Sequence, residues 1–148
     1  MAQLVNFIAG FLLMLVTGVF FGPWFALTRS LAGFEPAEFI KITRTLSKNL
    51  GPTMRFLLPG SILMMTLATF VYEHATQFYL SLPAIALLLI SLIITVVVEV
   101  PIVKSIEHCT VATLPADWQT RRDRWIRFHV FRTLAALLSF GLWLAIYI

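Results

Sequence analysis

Four apolar stretches constrain this chain more than anything else in it: residues 4–27, 53–72, 78–100 and 125–148. Each is close to the about 20 residues that one helical crossing of a bilayer needs. Inside hydrocarbon every backbone N–H and C=O has to pair within its own segment, so such stretches are helices. Strict period-two alternation is absent, which argues against a membrane barrel. Composition agrees. The chain is 59 % hydrophobic and 12 % charged, whereas soluble domains run at about 45–50 % and about 25 %. The expected fold is therefore all-α: an integral membrane four-helix bundle, a single membrane domain over residues 1–148. The first stretch lacks a basic leader and a cleavage pattern, so it reads as a retained span.

Lysine and arginine fix the expected orientation. Arg29, Lys41, Arg44, Lys48 and Arg55 lie between stretches one and two or at the edge of the second. Lys104, Arg121, Arg122, Arg124, Arg127 and Arg132 lie between three and four or just inside the fourth. The connection "YEHATQF" carries none. The positive-inside rule then puts both basic loops in the cytoplasm and both termini outside, in what we expect to be a bacterial inner membrane. Basic residues tied up as membrane flanks predict contact with membrane lipids and no nucleic-acid partner. The single Cys109 excludes an internal disulfide framework.

The first basic loop has structure of its own. In "EPAEFIKITRTLSKNLGP", Phe39, Ile42, Leu46 and Leu50 recur at helical spacing among polar residues. This pattern predicts an amphipathic cytoplasmic surface helix between spans one and two, ended by Gly51-Pro52. In the second loop, Asp117 is placed to cap a helix that starts well before the fourth span.

That second loop also concentrates ionisable chemistry. At about 100° per residue, Arg121, Phe128, His129, Arg132, Ala136, Ser139 and Trp143 fall within roughly 60° of Trp125, and Arg127 points the other way. Arg127 then reads as a snorkelling headgroup contact. Span three offers Ser91, Thr95 and Glu99 at i, i+4 and i+8. Glu99 is the one carboxylate set in an apolar run, and an intramembrane carboxylate normally faces a partner or a cavity. Arg132 and Arg55 are the candidate partners. The bland alternative, an ion pair that only fixes helix register, carries about even weight. His108, Cys109, His129, Glu38 and Glu99 are ligand types without a recognisable metal spacing, so neither a metal nor another cofactor is expected. In the first span, Gly18 and Gly22 permit close helix approach. Pro23 is placed to kink the helix before Trp24.

The run "VEVPI…LPADW…RRDRWIRFHVFRT" resembles the anthrone oxygenase-like family of small four-helix membrane proteins. The resemblance covers the whole chain in architecture and is specific mainly from Glu99 to Thr133. "GVFFGPW" and "EFIKITRTL" are also similar. The chain departs from the family pattern at Val103-Lys104 and at His108-Cys109. Some members oxidise anthrones to anthraquinones, so the resemblance implies an oxidoreductase acting with O2 on a planar, lipophilic aromatic substrate. Such chemistry needs a base, cations facing an oxyanion and an apolar pocket. His129 is the expected base, Arg132 and Arg121 the cations, and Glu99 the buried carboxylate beside them. Trp24, Arg55, Trp125 and Phe128 are the expected substrate contacts.

Two other classes remain open. A non-catalytic accessory subunit of a larger membrane complex, or a homo-oligomer, would use the same cluster for packing. A small transporter would place its site near the bilayer midplane, whereas here the charges gather at one end.

Overall fold

The computed structural model describes residues 2–72 and 74–146. Among these the chain forms helices and short connections, with no strand. Helix α1 spans Ala2–Pro23 and runs on as a π-helical segment, Trp24–Thr28. A single 3-10 turn at Leu31–Gly33 leads to α2, Pro36–Thr69. Helix α3, Ala75–Ile94, passes through a second π-helical segment, Thr95–Glu99, into the short α4, Val100–Lys104. After a loop with a 3-10 turn at Val111–Thr113 comes α5, Trp118–Ala145. Contacts of α1 with α2, α2 with α3, α3 with α5 and α5 with α1 close a four-helix ring.

Three helical stretches are long and apolar enough to cross a membrane: Gln3–Thr28, Ala75–Lys104 and Trp118–Ala145. They cover the first, third and fourth expected spans. The expected end of the fourth at Ile148 lies outside the described residues. The fourth helix of the ring is the C-terminal half of α2, whose Arg55 and two prolines keep it less apolar than the other three.

The surface helix expected in the first loop is not a separate element. It is the N-terminal half of α2, and Gly51-Pro52 does not end it. Pro52 and Pro59 each remove one N–H from the ladder, and the intact turns on either side carry the helix through. Such breaks are tolerated in membrane helices for this reason. The start of α2 is well specified: Pro36 occupies its first turn, and Glu35 and Glu38 form a reciprocal capping box. Its apolar face does not lie on lipid. Phe39 and Ile40 are buried with Leu31, Ile106 and Trp125 in a small core at the charged end of the bundle.

The main core is built differently. Ala9, Ala68, Ala84 and Ala136 are fully buried among Leu13, Leu58, Met65, Leu88 and Trp143. Lipid is as apolar as leucine, so helices here associate by close approach and by hydrogen bonds between them. Ser139 Oγ donates to the Ala84 carbonyl at 2.7 Å, and the Thr69 hydroxyl donates to Ser81 at 3.0 Å. These bonds tie α5 to α3 and α2 to α3.

Candidate functional site, a buried ion cluster between two pi-helical segments

Both π-helical segments lie at the charged end of the bundle, and α5 packs against both. The first follows Pro23, which has no N–H to continue the ladder, and the Thr28 hydroxyl donates back to the Pro23 carbonyl at 3.1 Å. The expected kink before Trp24 is therefore a widened turn. The second widens α3 so that Thr95 and Glu99 both reach one α5 side chain, Arg132. Single π turns inside α-helices occur frequently at functional sites.

Arg132 is the hub. Its Nη2 lies 3.1 Å from Glu99 Oε2, with side chains 12 % and 3 % exposed. Its Nη1 donates to Thr95 Oγ1 at 3.1 Å. Its Nε and Nη2 approach His129 Nδ1 at 3.1 and 2.8 Å. The guanidinium carbon stands 4.5 Å from the centre of the Phe20 ring, a cation–π contact in a desolvated setting. Ser91 Oγ donates to the Arg132 carbonyl at 2.9 Å, which pins α5 to α3 at this level. Of the two candidate partners for Glu99, the structure selects Arg132. Arg55 is exposed and stands apart from the cluster.

The hydrogen-bond pattern sets the histidine tautomer. Arginine can only donate, so Nδ1 must accept and the neutral ring carries its proton on Nε2. That nitrogen has no hydrogen-bond partner. The Trp125 ring stacks on His129 at 5.2 Å between centroids and 9° between planes, and the Thr133 hydroxyl donates to the His129 carbonyl at 2.7 Å. Four buried polar atoms here lack a hydrogen-bond partner: Glu99 Oε1 and Oε2, His129 Nε2 and Trp125 Nε1. Glu99 Oε2 touches Arg132 as an ion pair whose alignment falls short of a hydrogen bond. In this arrangement the histidine lone pair is occupied and the carboxylate oxygen Oε1 is not.

The other candidates sit elsewhere. Arg121 turns away from the cluster, and its Nε donates to both Asp117 oxygens at 2.9 and 3.0 Å. Asp117 occupies the expected cap position of α5 but makes no side-chain cap bond, because Arg121 holds its carboxylate. That contact keeps the Asp117 carboxyl below the usual carboxylate range. Phe128 is half-buried, with Phe131 edge-on at 6.2 Å and the Arg124 guanidinium over its ring. Trp24 is half-buried beside Phe21, its ring 5.6 Å away.

Two contributors were not singled out by the sequence. Phe20 is the ring beneath the Arg132 guanidinium. Arg122 is buried: its Nη1 donates to the Ala32 carbonyl at 3.2 Å, and its guanidinium lies 5.3 Å from the Trp118 ring centre. A signal for Arg122 existed, since its spacing from Trp125 puts it on the side of α5 that also carries His129. Among the described residues no three His, Cys, Asp or Glu side chains come together as metal ligands. The cation between Glu99 and His129 is the Arg132 guanidinium.

A sequence profile of the family described as anthrone oxygenase matches residues 45–142. The chain belongs to the anthrone oxygenase family. The matched region holds Glu99, Trp125, His129 and Arg132 and leaves out Phe20 and Trp24. No curated protein and no solved structure matches the chain.

Proposed function

We propose that this family member is a membrane-embedded oxidoreductase that uses O2 to convert a planar, lipophilic aromatic CH2 group of the anthrone type into a carbonyl. The observation that carries this reading is the Glu99–Arg132–His129 cluster, buried in an apolar bundle with Glu99 Oε1 unpartnered. Glu99 Oε1 takes a proton from the activated CH2 group. The Arg132 guanidinium and the His129 Nε2–H are the donors available to the enolate oxygen. The electron-rich carbanion passes electrons to O2 and forms a C–O bond, giving a hydroperoxide. Loss of the second C–H proton with cleavage of the O–O bond releases water and leaves the new C=O. One O2 is consumed for each CH2 converted to C=O and each H2O formed, so the balance needs no other oxidant. Trp125 supplies an aromatic wall through its stack on His129. Both basic loops face the cytoplasm in this reading, and the start of α1 and the end of α5 face outward.

The test is O2 uptake by the purified chain in lipid nanodiscs with a panel of anthrones. Wild type consumes one O2 per quinone formed. Arg127→Gln, exposed on the opposite face of α5, retains the rate, and Arg132→Gln loses it. An absence of uptake across the panel would remove the enzymatic reading. One observation favours a second reading, a non-catalytic accessory subunit or homo-oligomer. The cluster satisfies much of itself, with Arg132 engaging Glu99, Thr95, His129 and Phe20 at once, as a lock of helix register would. A stable partner retained through purification, together with silent O2 kinetics, would support that alternative.

A further inference from the structure

At the charged end of the bundle, separate from the Glu99 cluster, a cleft of about 350 Å³ opens between the start of α5 and the short α4. Its lining divides by chemistry. Pro101 and Ile102 form an apolar side, and Thr120, Arg121, Arg124 and Asp117 form the polar side. The volume lies within the about 300–1,000 Å³ of small-molecule sites. Asp117 engages Arg121 through Nε, which leaves the terminal guanidinium nitrogens of Arg121 available. Arg124 rests its guanidinium plane over Phe128, 5.8 Å from the ring centre, so its N–H edge is also available. Two arginines against one carboxylate leave the cleft with an excess of positive charge.

The surroundings select among anions. The cleft lies beyond Glu99 and Arg132 toward the charged end, within about one turn of Glu99 along α4 and about two to three turns from Arg132 along α5. Below it, on the membrane side, Val97 and Ile93 continue the Pro101 face of the α3 stretch, and Phe131 continues the Arg124–Phe128 face of α5. All three are exposed, at 65, 58 and 54 %. A free anion would use the arginines and ignore this apolar track. An amphiphile uses both.

We propose that this cleft binds the phosphate headgroup of an anionic phospholipid, with acyl chains lying along Val97, Ile93 and Phe131. Arg121 and Arg124 hold the phosphate, Thr120 adds a hydroxyl donor, and Pro101 and Ile102 pack the glycerol region. Arginine suits the task because its fork of N–H groups matches phosphate oxygens.

The test titrates phosphatidylglycerol or phosphatidylcholine into the purified full chain in detergent, following bound lipid by native mass spectrometry and the thermal midpoint. Phosphatidylglycerol is expected to bind more tightly and raise the midpoint more. Each basic residue near an anionic headgroup is worth about five-fold in affinity. The double variant Arg121→Gln/Arg124→Gln should therefore lose about 25-fold, and Arg127→Gln should lose little. Ile102→Trp fills the cleft without changing charge and should also remove the preference, which keeps the proposal testable if the double variant folds poorly. Glycerol phosphate, the headgroup without acyl chains, should not displace the lipid at matched concentration. Equal binding of the two lipids overturns the proposal. So does equal loss in Arg127→Gln and the double variant, which would mean a diffuse basic surface. Displacement by glycerol phosphate would assign the cleft to a soluble anion.

Discussion

Two arginines of helix α5 meet carboxylates at nearly equal distances and do different things. Arg121 meets Asp117 at 2.9 Å with side chains 37 % and 56 % exposed, and Arg132 meets Glu99 at 3.1 Å with side chains 12 % and 3 % exposed. The first is an i,i+4 pair in water, where screening and side-chain entropy cancel most of the attraction. The second joins two spans where the alternative to pairing is a charge in hydrocarbon. Their arginines share a helix, but the surroundings differ, and the surroundings decide which pair holds the bundle together. The same contrast separates the two proposed ligands: Arg132 directs most of its donors to protein groups and sits beside an apolar substrate, and Arg121 keeps its terminal nitrogens for a lipid.

The largest expected effects come from halving the inner pair. Glu99→Ala or Arg132→Ala strands a buried charge and should cost about 3–5 kcal/mol, read as a drop in the unfolding midpoint in detergent. The double variant Glu99→Leu/Arg132→Met removes both charges and should recover most of that loss while remaining inactive. If the double variant were as unstable as the singles, the pair would not be the unit we describe. Next comes Thr95→Val, which deletes the acceptor for Arg132 Nη1. A bond to a charged group is worth about 1.5–3 kcal/mol, and the same unfolding assay measures it. Phe20→Leu removes the ring beneath the guanidinium, for about 0.5–2 kcal/mol. The smallest effect belongs to the outer pair. Asp117→Asn should leave the midpoint unchanged within error at neutral pH. The Asp117 carboxyl lies below its ordinary range, so what the pair contributes is present at neutral pH and fades as pH falls through that lowered value. A wild-type midpoint that drops steeply there, and does not drop in Asp117→Asn, would break the comparison.

How much of this was legible in the sequence follows the same division. Three spanning helices were readable because each is a long apolar run, and the need of Glu99 for a cationic partner, Arg132 or Arg55, followed from one carboxylate placed among β-branched residues. The continuity of α2 was not readable, since Gly51-Pro52 is a stop signal in water and only neighbouring helices make the break tolerable. Arg121 was placed with His129 because a helical wheel gives direction and ignores depth. Arg121 lies two turns before His129, outside the apolar layer, where Asp117 is nearer than Glu99. The role of Phe20 depended on how α1 sits against α5, which no local pattern encodes. The proposed reaction uses Glu99 rather than His129 as its base, because Arg132 occupies His129 Nδ1.

The central claim is that Glu99 accepts the substrate proton, and proton removal can be followed apart from oxidation. With O2 excluded, the protein in nanodiscs in D2O should catalyse deuterium entry into the CH2 group of an anthrone above the spontaneous rate. Glu99→Gln should lower that catalysed exchange by about 10²–10⁴-fold, the usual contribution of a general base, and Arg127→Gln should leave it intact. Exchange by Glu99→Gln at the wild-type rate would contradict the claim.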